Sequence, residues 1–319
     1  MCYSARVRQS LNDLIRKFGA TVDWEGFELL FRRRLEDGTI KISRALEDNF
    51  VEPANPIAQK TREHILEFRR AQTTAWEQDL FKQKKRLADA TRSLQSKETK
   101  KAREDVRIAT DKIEGYVERL SDLRRIESRP NDGRIFPMTF APVIINDGGQ
   151  KVIRPMRYTC RLAGKPALYD RKYPGTYNAR RDNLEGFWSS VYGTHHAVVW
   201  VDSFFENVPT HRFEKRALAD GEQETNTVLH FQPNPPESMI VACLWSHWSG
   251  KEGPDLDSFA AITDEPPPEI AETGHERCIV SLQPDNVGEW LAPADVSKDR
   301  LATILSDRRP VYYEHRQAA

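Results

Sequence analysis

Between Ile57 and Arg125 the chain contains no proline and a single glycine, Gly115. Lys, Arg, Glu, Gln and Ala dominate this stretch, and these residues lose little freedom in a helix. Ile65, Phe68, Ala75, Leu80 and Leu87 recur at helical spacing. The polar run 91–101 interrupts the apolar pattern, which predicts a helical hairpin, with one long helix as the alternative. Residues 57–128 hold 18 basic and 13 acidic side chains. That mixture suits a solvated protrusion whose charges pair along the helices. A docking element for a protein partner and a nonspecific DNA arm are the two sharper expectations; irregular heptads argue weakly for a coiled coil.

The flanking sequence has a different texture. Residues 1–56 carry short apolar segments at 11–18 and 24–31 and end in Pro53-Ala-Asn-Pro56. After Arg129-Pro130-Asn131-Asp132-Gly133 the pattern turns to short β-branched and aromatic runs separated by Gly, Pro, Asn and Asp. These are Val143-Ile144-Ile145, His196 to Val201, Val228 to Phe231, Ser238 to Trp245, Phe259 to Thr263 and Cys278 to Val280, with a helix expected over 285–291. The fold class is therefore α+β: a mainly β body, 1–56 with 129–319, interrupted by a helical insertion at 57–128.

Composition removes several function classes. With 48 basic and 48 acidic residues, DNA contact must come from a local patch rather than from net charge. No run approaches the ~20 apolar residues of a membrane span, and the N-terminus lacks the apolar segment of a secretory signal. Cys2, Cys160, Cys243 and Cys278 form no CxxC pair, so no metal site or cofactor is expected and a reducing, cytoplasmic setting fits.

Chemistry is suggested first by Met1-Cys2. Loss of Met1 would expose a thiol and an α-amine on one residue, with reference pKa values near 8.5 and 7.7–8.0. Such a 1,2-aminothiol condenses with an aldehyde to an imine and then to a thiazolidine. Further along stand Tyr177-Asn178-Ala179-Arg180, an apolar run ending in Phe204-Phe205-Glu206, and Gly274-His275-Glu276-Arg277. A carboxylate and an imidazole are the groups that move protons in covalent capture. Each segment alone also fits an ordinary turn or strand end.

Taken in order, these segments resemble the SRAP family (SOS-response-associated peptidase). The family begins Met-Cys-Gly-Arg and carries Asn-Ala-Arg, a segment ending Phe-Tyr-Glu-Trp, an Ala-Gly-Leu-Trp strand, an Ile-Thr strand and His-Asp/Glu-Arg. The counterparts here are Cys2, Asn178-Ala179-Arg180, Phe204-Phe205-Glu206, Ala242-Cys-Leu-Trp245, Ile262-Thr263 and His275-Glu276-Arg277. Arg134-Ile-Phe-Pro137 to Ile144 resembles its Pro-x-x-x-x-Pro-Val stretch. The resemblance covers residue 1 with its surroundings and about 134–292. The chain departs from the pattern at Ser4, where the family has arginine, and around Arg157-Tyr158-Thr159-Cys160, where it has Trp-Gly-Leu.

The resemblance implies capture of abasic sites in single-stranded DNA by a thiazolidine crosslink through Cys2. It also implies a self-processing peptidase step that removes Met1, and a lyase-like activity. Cys2, Asn178, Glu206 and His275 are the implied catalytic residues; Arg180, Tyr158, Arg6 and Arg157 are the implied DNA contacts. A monomer in the cytoplasm, on the nucleoid if the source is bacterial, is the corresponding expectation. Two competing classes remain. One is a cysteine peptidase acting in trans through Cys2, His275 and Asn178; the other is a noncatalytic DNA-binding or scaffold protein.

Overall fold

Five strands close on themselves. The computed structural model describes residues 3–251 and 253–318. Its strands are β1 Ser4–Val7, β2 Thr21–Val22, β3 Lys41–Ile42, β4 Arg134–Ile135, β5 Thr139–Asp147, β6 Gln150–Tyr158 and β7 Asn178–Arg180. They continue as β8 His196–Pro209, β9 Asn226–Asn234, β10 Met239–Gly250, β11 Gly253–Asp264, β12 Cys278–Ile279 and β13 Tyr312–Gln317. The order β8-β10-β11-β6-β5 returns to β8, because β5 also pairs with β8 at Ile144↔Val198 and Ile145↔Ala197. A closed circuit of this kind leaves no central edge unpaired.

Alternation along the strands explains the apolar runs seen in the sequence. Val143, Ile145, Ala197, Val199, Val241, Cys243, Phe259 and Ala261 point to one core. Their neighbours Ile144, Val198, Ala242, Leu244, Ala260 and Ile262 point to a second. Helices cover that second face: α1 Leu11–Phe18, α2 Trp24–Glu36, and the C-terminal helices Val287–Leu291 and Lys298–Ser306. Strands buried on both faces read as continuous hydrophobic runs. All six strand candidates fall within or across observed strands, and residues 285–291 become a 3-10 turn followed by a short helix.

The hairpin is real, and its turn is tighter than expected. After the short helix α3 Arg44–Glu47, helix α4 runs Pro56–Ser96, straight through the first half of the polar run, and α5 runs Lys100–Arg124. Asn55 caps α4 ahead of Pro56, and Thr99 caps α5 by accepting from the Ala102 N–H. Thus only Lys97 to Thr99 form the turn. Ala90, Ala102, Ala109 and Leu120 are buried along the hairpin. A buried ionic trio ties it to the body: Arg34 of α2 donates to Glu47 at 2.6 Å, and Arg69 of α4 donates to the other oxygen of the same carboxylate at 2.8 Å.

Strand β8 positions the site. Its first half belongs to the closed circuit, and its second half pairs with β1 on one side and β9 on the other. No helix is long and apolar enough to cross a membrane among the described residues.

Candidate active site

The register of β1 against β8 sets Ser4 opposite Phe205. The residue before Ser4 therefore meets Glu206, and the Tyr3 N–H donates to Glu206 Oε2 at 3.3 Å. The same oxygen lies 3.3 Å from His275 Nε2. Two residues far apart in the chain thus share one proton position beside the start of β1.

His275 is held by the loop before β12. Gly274 adopts φ +87°, and a Cβ there would lie 2.9 Å from Arg212 Cβ, so the turn that presents His275 requires glycine. His275 Nδ1 lies 2.7 Å from the Arg277 carbonyl. A carbonyl only accepts, so Nδ1 carries hydrogen and Nε2 faces Glu206. β12 pairs with β11 at Thr263↔Ile279, which anchors the loop to the barrel.

Burial decides the charge of this pair. Glu206 is fully buried, and desolvation pushes its carboxyl up to about 8, against the opposing pull of the Tyr3 N–H. His275 is pushed down to about 4, again chiefly by burial. Although the two groups are close enough for an ion pair, burial favours the uncharged arrangement: a protonated Glu206 donating to a neutral imidazole. A carboxyl that holds its proton near neutrality is suited to general acid catalysis.

Asn178 lies on β7, opposite Ala261 of β11. Its Oδ1 accepts from the Thr263 hydroxyl at 2.5 Å, while its buried Nδ2 has no acceptor among the described residues. The side chain borders a cleft lined also by Thr176, Arg180, Phe187 and Trp188. Arg180 is exposed and forks onto Asp182 at 3.1 and 2.6 Å, and Arg277 reaches the same carboxylate at 3.1 Å. With its oxygen given to Thr263 and His275 Nδ1 given to Arg277, Asn178 does not orient the imidazole as a Cys-His-Asn triad would require.

Two expected DNA contacts are corrected by burial. Tyr158 is 2% exposed and packs against Tyr177 and Phe259, so neither ring face is open to a base. Arg157 is buried too and ion-paired with Asp170 at 2.9 Å. Arg6 is half-buried and donates to Asn131 at 3.1 Å. Cys2 lies outside the described residues.

Several neighbours of the site escaped sequence reasoning. Arg134 donates to Ser4 Oγ at 2.9 Å and lies over Phe205 at 3.6 Å. Tyr3 meets Phe136 edge-on at 5.8 Å. Nothing local in the sequence pairs these residues; only the β1–β4 and β1–β8 registers do. Among the described residues no group of three or more His, Cys, Asp or Glu could hold a metal ion.

The SOS response associated peptidase (SRAP) family matches residues 82–316, which include Asn178, Glu206 and His275. The chain belongs to the SRAP family. A curated relative, the abasic site processing protein YobE of Bacillus subtilis, is 27% identical over 165 residues, covering 51% of this chain and 68% of YobE. Among solved structures, a protein from Bacteroides thetaiotaomicron aligns with TM-score 0.45 at 13% identity, covering 58% of this chain and 77% of its own. A protein from Bordetella bronchiseptica gives TM-score 0.45 at 17% identity, covering 59% and 87%. A phage-related protein of the same organism gives 0.44 at 18%, covering 58% and 80%. The family match begins inside α4, so its helical hairpin lies partly outside the matched segment.

Proposed function

We propose that this SRAP protein processes abasic sites in single-stranded DNA, capturing the ring-opened aldehyde through Cys2 after removal of Met1. The observation that carries this is the double engagement of Glu206 Oε2 by the Tyr3 N–H and His275 Nε2, each at 3.3 Å. Cys2 immediately precedes Tyr3 in the chain, which is why the capture chemistry is assigned to this end of β1. The named function of YobE supports the choice of substrate.

The other cysteines are poor candidates for the nucleophile. Cys160, Cys243 and Cys278 are buried, and burial pushes the Cys160 thiol up to about 12 and the other two upward as well.

Removal of Met1 begins with attack of the Cys2 thiol on the Met1 carbonyl carbon. The peptide C–N bond breaks, a thioester forms and the Cys2 amine is freed; one water then hydrolyses the thioester and releases methionine. In capture, the neutral amine adds to the aldehyde carbon. Glu206 donates its proton to the carbinolamine hydroxyl, which leaves as water and gives the imine. The thiol then adds across the C=N bond: sulfur bonds carbon, nitrogen gains the hydrogen, and the five-membered ring closes. Nothing is oxidised or reduced. The nitrogen gives up a proton to the Glu206 carboxylate as the imine forms, which restores the acid; in ring opening His275 Nε2 takes the proton of the C1 hydroxyl and passes it to the sugar ring oxygen. Asn178 Nδ2, a buried donor, orients the N-terminal backbone, and Arg180 exchanges Asp182 for a phosphate.

Incubation with a uracil-glycosylase-treated oligonucleotide, followed by a denaturing gel and intact mass, tests the mechanism. A one-to-one adduct that has lost one water and lacks Met1 is expected from the wild type. An undiminished adduct in Cys2→Ala would eliminate the proposal.

A further inference from the structure

Strand register aligns one row of side chains across five strands, on the opposite face of β8 from Glu206. Arg134 of β4 faces Arg6 of β1, and Arg6 faces Ser203 of β8. Phe205, two residues along on the same face, is opposite His230 of β9, and His230 is opposite Arg316 of β13. Arg134 lies over Phe205 at 3.6 Å, and His230 stacks on the same ring at 4.5 Å.

Among the described residues the three guanidiniums of this row lack counter-charges. Arg6 donates to Asn131, Arg134 to the Ser4 hydroxyl and Arg316 to His230 Nδ1, all neutral acceptors. Asp202, which acts on Arg6 from a distance, is held by Arg8 at 2.9 Å and by Ser238 at 2.5 Å. Glu314, two residues before Arg316, is hydrogen-bonded to Asn234. Beneath the guanidiniums the floor is made of donors. Arg6 Nε, Ser203 Oγ and His230 Nε2 are buried without an acceptor among the described residues. Because His230 Nδ1 accepts from Arg316, Nε2 carries the hydrogen. Burial and the surrounding arginines hold this imidazole down to about 4, so it stays neutral in a field that favours anions.

We propose that this outer sheet face is a second nucleic-acid contact, a basic track that holds backbone phosphates of the strand flanking the captured site. The inference rests on the DNA reading above for the identity of its partner. Adjacent strands lie about 4.8 Å apart, so the row from β4 to β13 spans about 19 Å. A series of anions fits that width; a single oxyanion covers only part of it. Tyr3 and Phe136 are exposed beside Arg134 at 40% and 37%, which supplies aromatic surface next to the cations. Cationic tracks interleaved with aromatic rings are how single strands are held without regard to sequence.

The test uses fluorescence anisotropy with a single-stranded oligonucleotide that carries no abasic site, over a series of salt concentrations. Removing one phosphate contact lowers the slope of log affinity against log salt by about 0.7. The combined Arg6→Gln, Arg134→Gln and Arg316→Gln variant is expected to lose about two in slope, while the corresponding Lys variant retains it. Arg316→Gln alone, at the exposed edge strand, keeps the test intact should the combined variant not fold, and is expected to lose about 0.7. Unchanged slope and affinity in these variants, or no binding by the wild type, would overturn the track. If wild type binds with the expected slope yet forms no adduct on abasic DNA, the capture reading fails and the track stands. If adduct forms while the slopes are unmoved, the track alone fails.

Discussion

The two basic regions of this protein handle charge differently. The hairpin carries the visible excess of lysine and arginine, and eight of the eighteen cations of 57–128 sit in ion pairs. Arg86 meets Asp105, Arg124 meets Glu77, Arg107 bridges Glu104 and Asp111, and Lys82 meets Asp79. The outer face of β4, β1, β8, β9 and β13 carries few charges, and composition gives it no prominence. There Arg6, Arg134 and Arg316 face only neutral acceptors among the described residues. A site for a polyanion is marked by unneutralised charge gathered on one face, not by the number of lysines and arginines in a segment. Arg6, Arg134 and Arg316 share one face of adjoining strands, and that face is the proposed nucleic-acid contact.

The largest expected effect lies in the body. Glu206→Gln keeps the shape but removes the transferable proton, and general acid–base groups contribute typically about 10²–10⁴-fold. Single-turnover adduct formation should slow within that range with little change in equilibrium binding of intact DNA. A rate within about twofold of wild type would remove Glu206 from the mechanism and with it the distinction between the two regions.

Next comes the joint between them. Glu47→Gln leaves Arg34, 3% exposed, and Arg69 without their shared carboxylate. Breaking a buried pair by removing one partner costs about 3–5 kcal/mol. Denaturant unfolding should show a loss of that order; a loss below about 1 kcal/mol would mean the hairpin is not anchored through this trio. Within the hairpin, Ala109→Leu inserts bulk at a fully buried position and should cost about 1–3 kcal/mol without altering DNA binding.

The pH dependence of stability gives a smaller signal of known sign. Glu206, raised to about 8, contributes stability that is fully present below its unfolded pKa near 4.3 and is lost as pH rises through 8. His275, lowered to about 4, acts in the other direction: stability falls as pH drops from about 6.5 towards 4. Between these limits the two slopes oppose each other, so the decline should appear from about pH 6.5 to 8. Glu206→Gln should flatten that decline in thermal melts. A decline of equal steepness in the variant would assign it to another group.

How much of this the sequence carried depends on parity and register. The runs at 143–145, 196–201 and 259–263 were legible because both faces of their strands are buried, which leaves an unbroken apolar signature. β13, Tyr312–Gln317, was not legible: it is an edge strand with polar residues such as Glu314 and Arg316, and pairing with β9 alone makes it a strand. The Glu206–His275 meeting was reachable only through the ordered motifs of the family, since nothing in their spacing joins them. Tyr158 and Arg157 are neighbours on opposite faces of β6, and the end of that strand is buried on both: Tyr158 packs on Tyr177 and Phe259, while Arg157 is held by Asp170, a partner that no local pattern announces. The arginine row needs four correct registers at once, so no local pattern could have shown it.

The smallest effect expected is also the sharpest check on the contrast between regions. Arg107 is exposed on α5 and bridges Glu104 at 2.6 Å and Asp111 at 3.0 Å. Exposed pairs on a helix gain little because water screens them and two long side chains must be held still. Arg107→Gln should therefore leave the melting temperature and the salt slope of DNA binding where they were. Its two carboxylates would then stand unmatched on the hairpin surface, so the substitution makes the hairpin more acidic without touching the body. If the salt slope fell by about 0.7 as for a residue of the track, the hairpin's cations would be reaching phosphate despite their partners. Pairing would then no longer separate structural charge from binding charge in this protein.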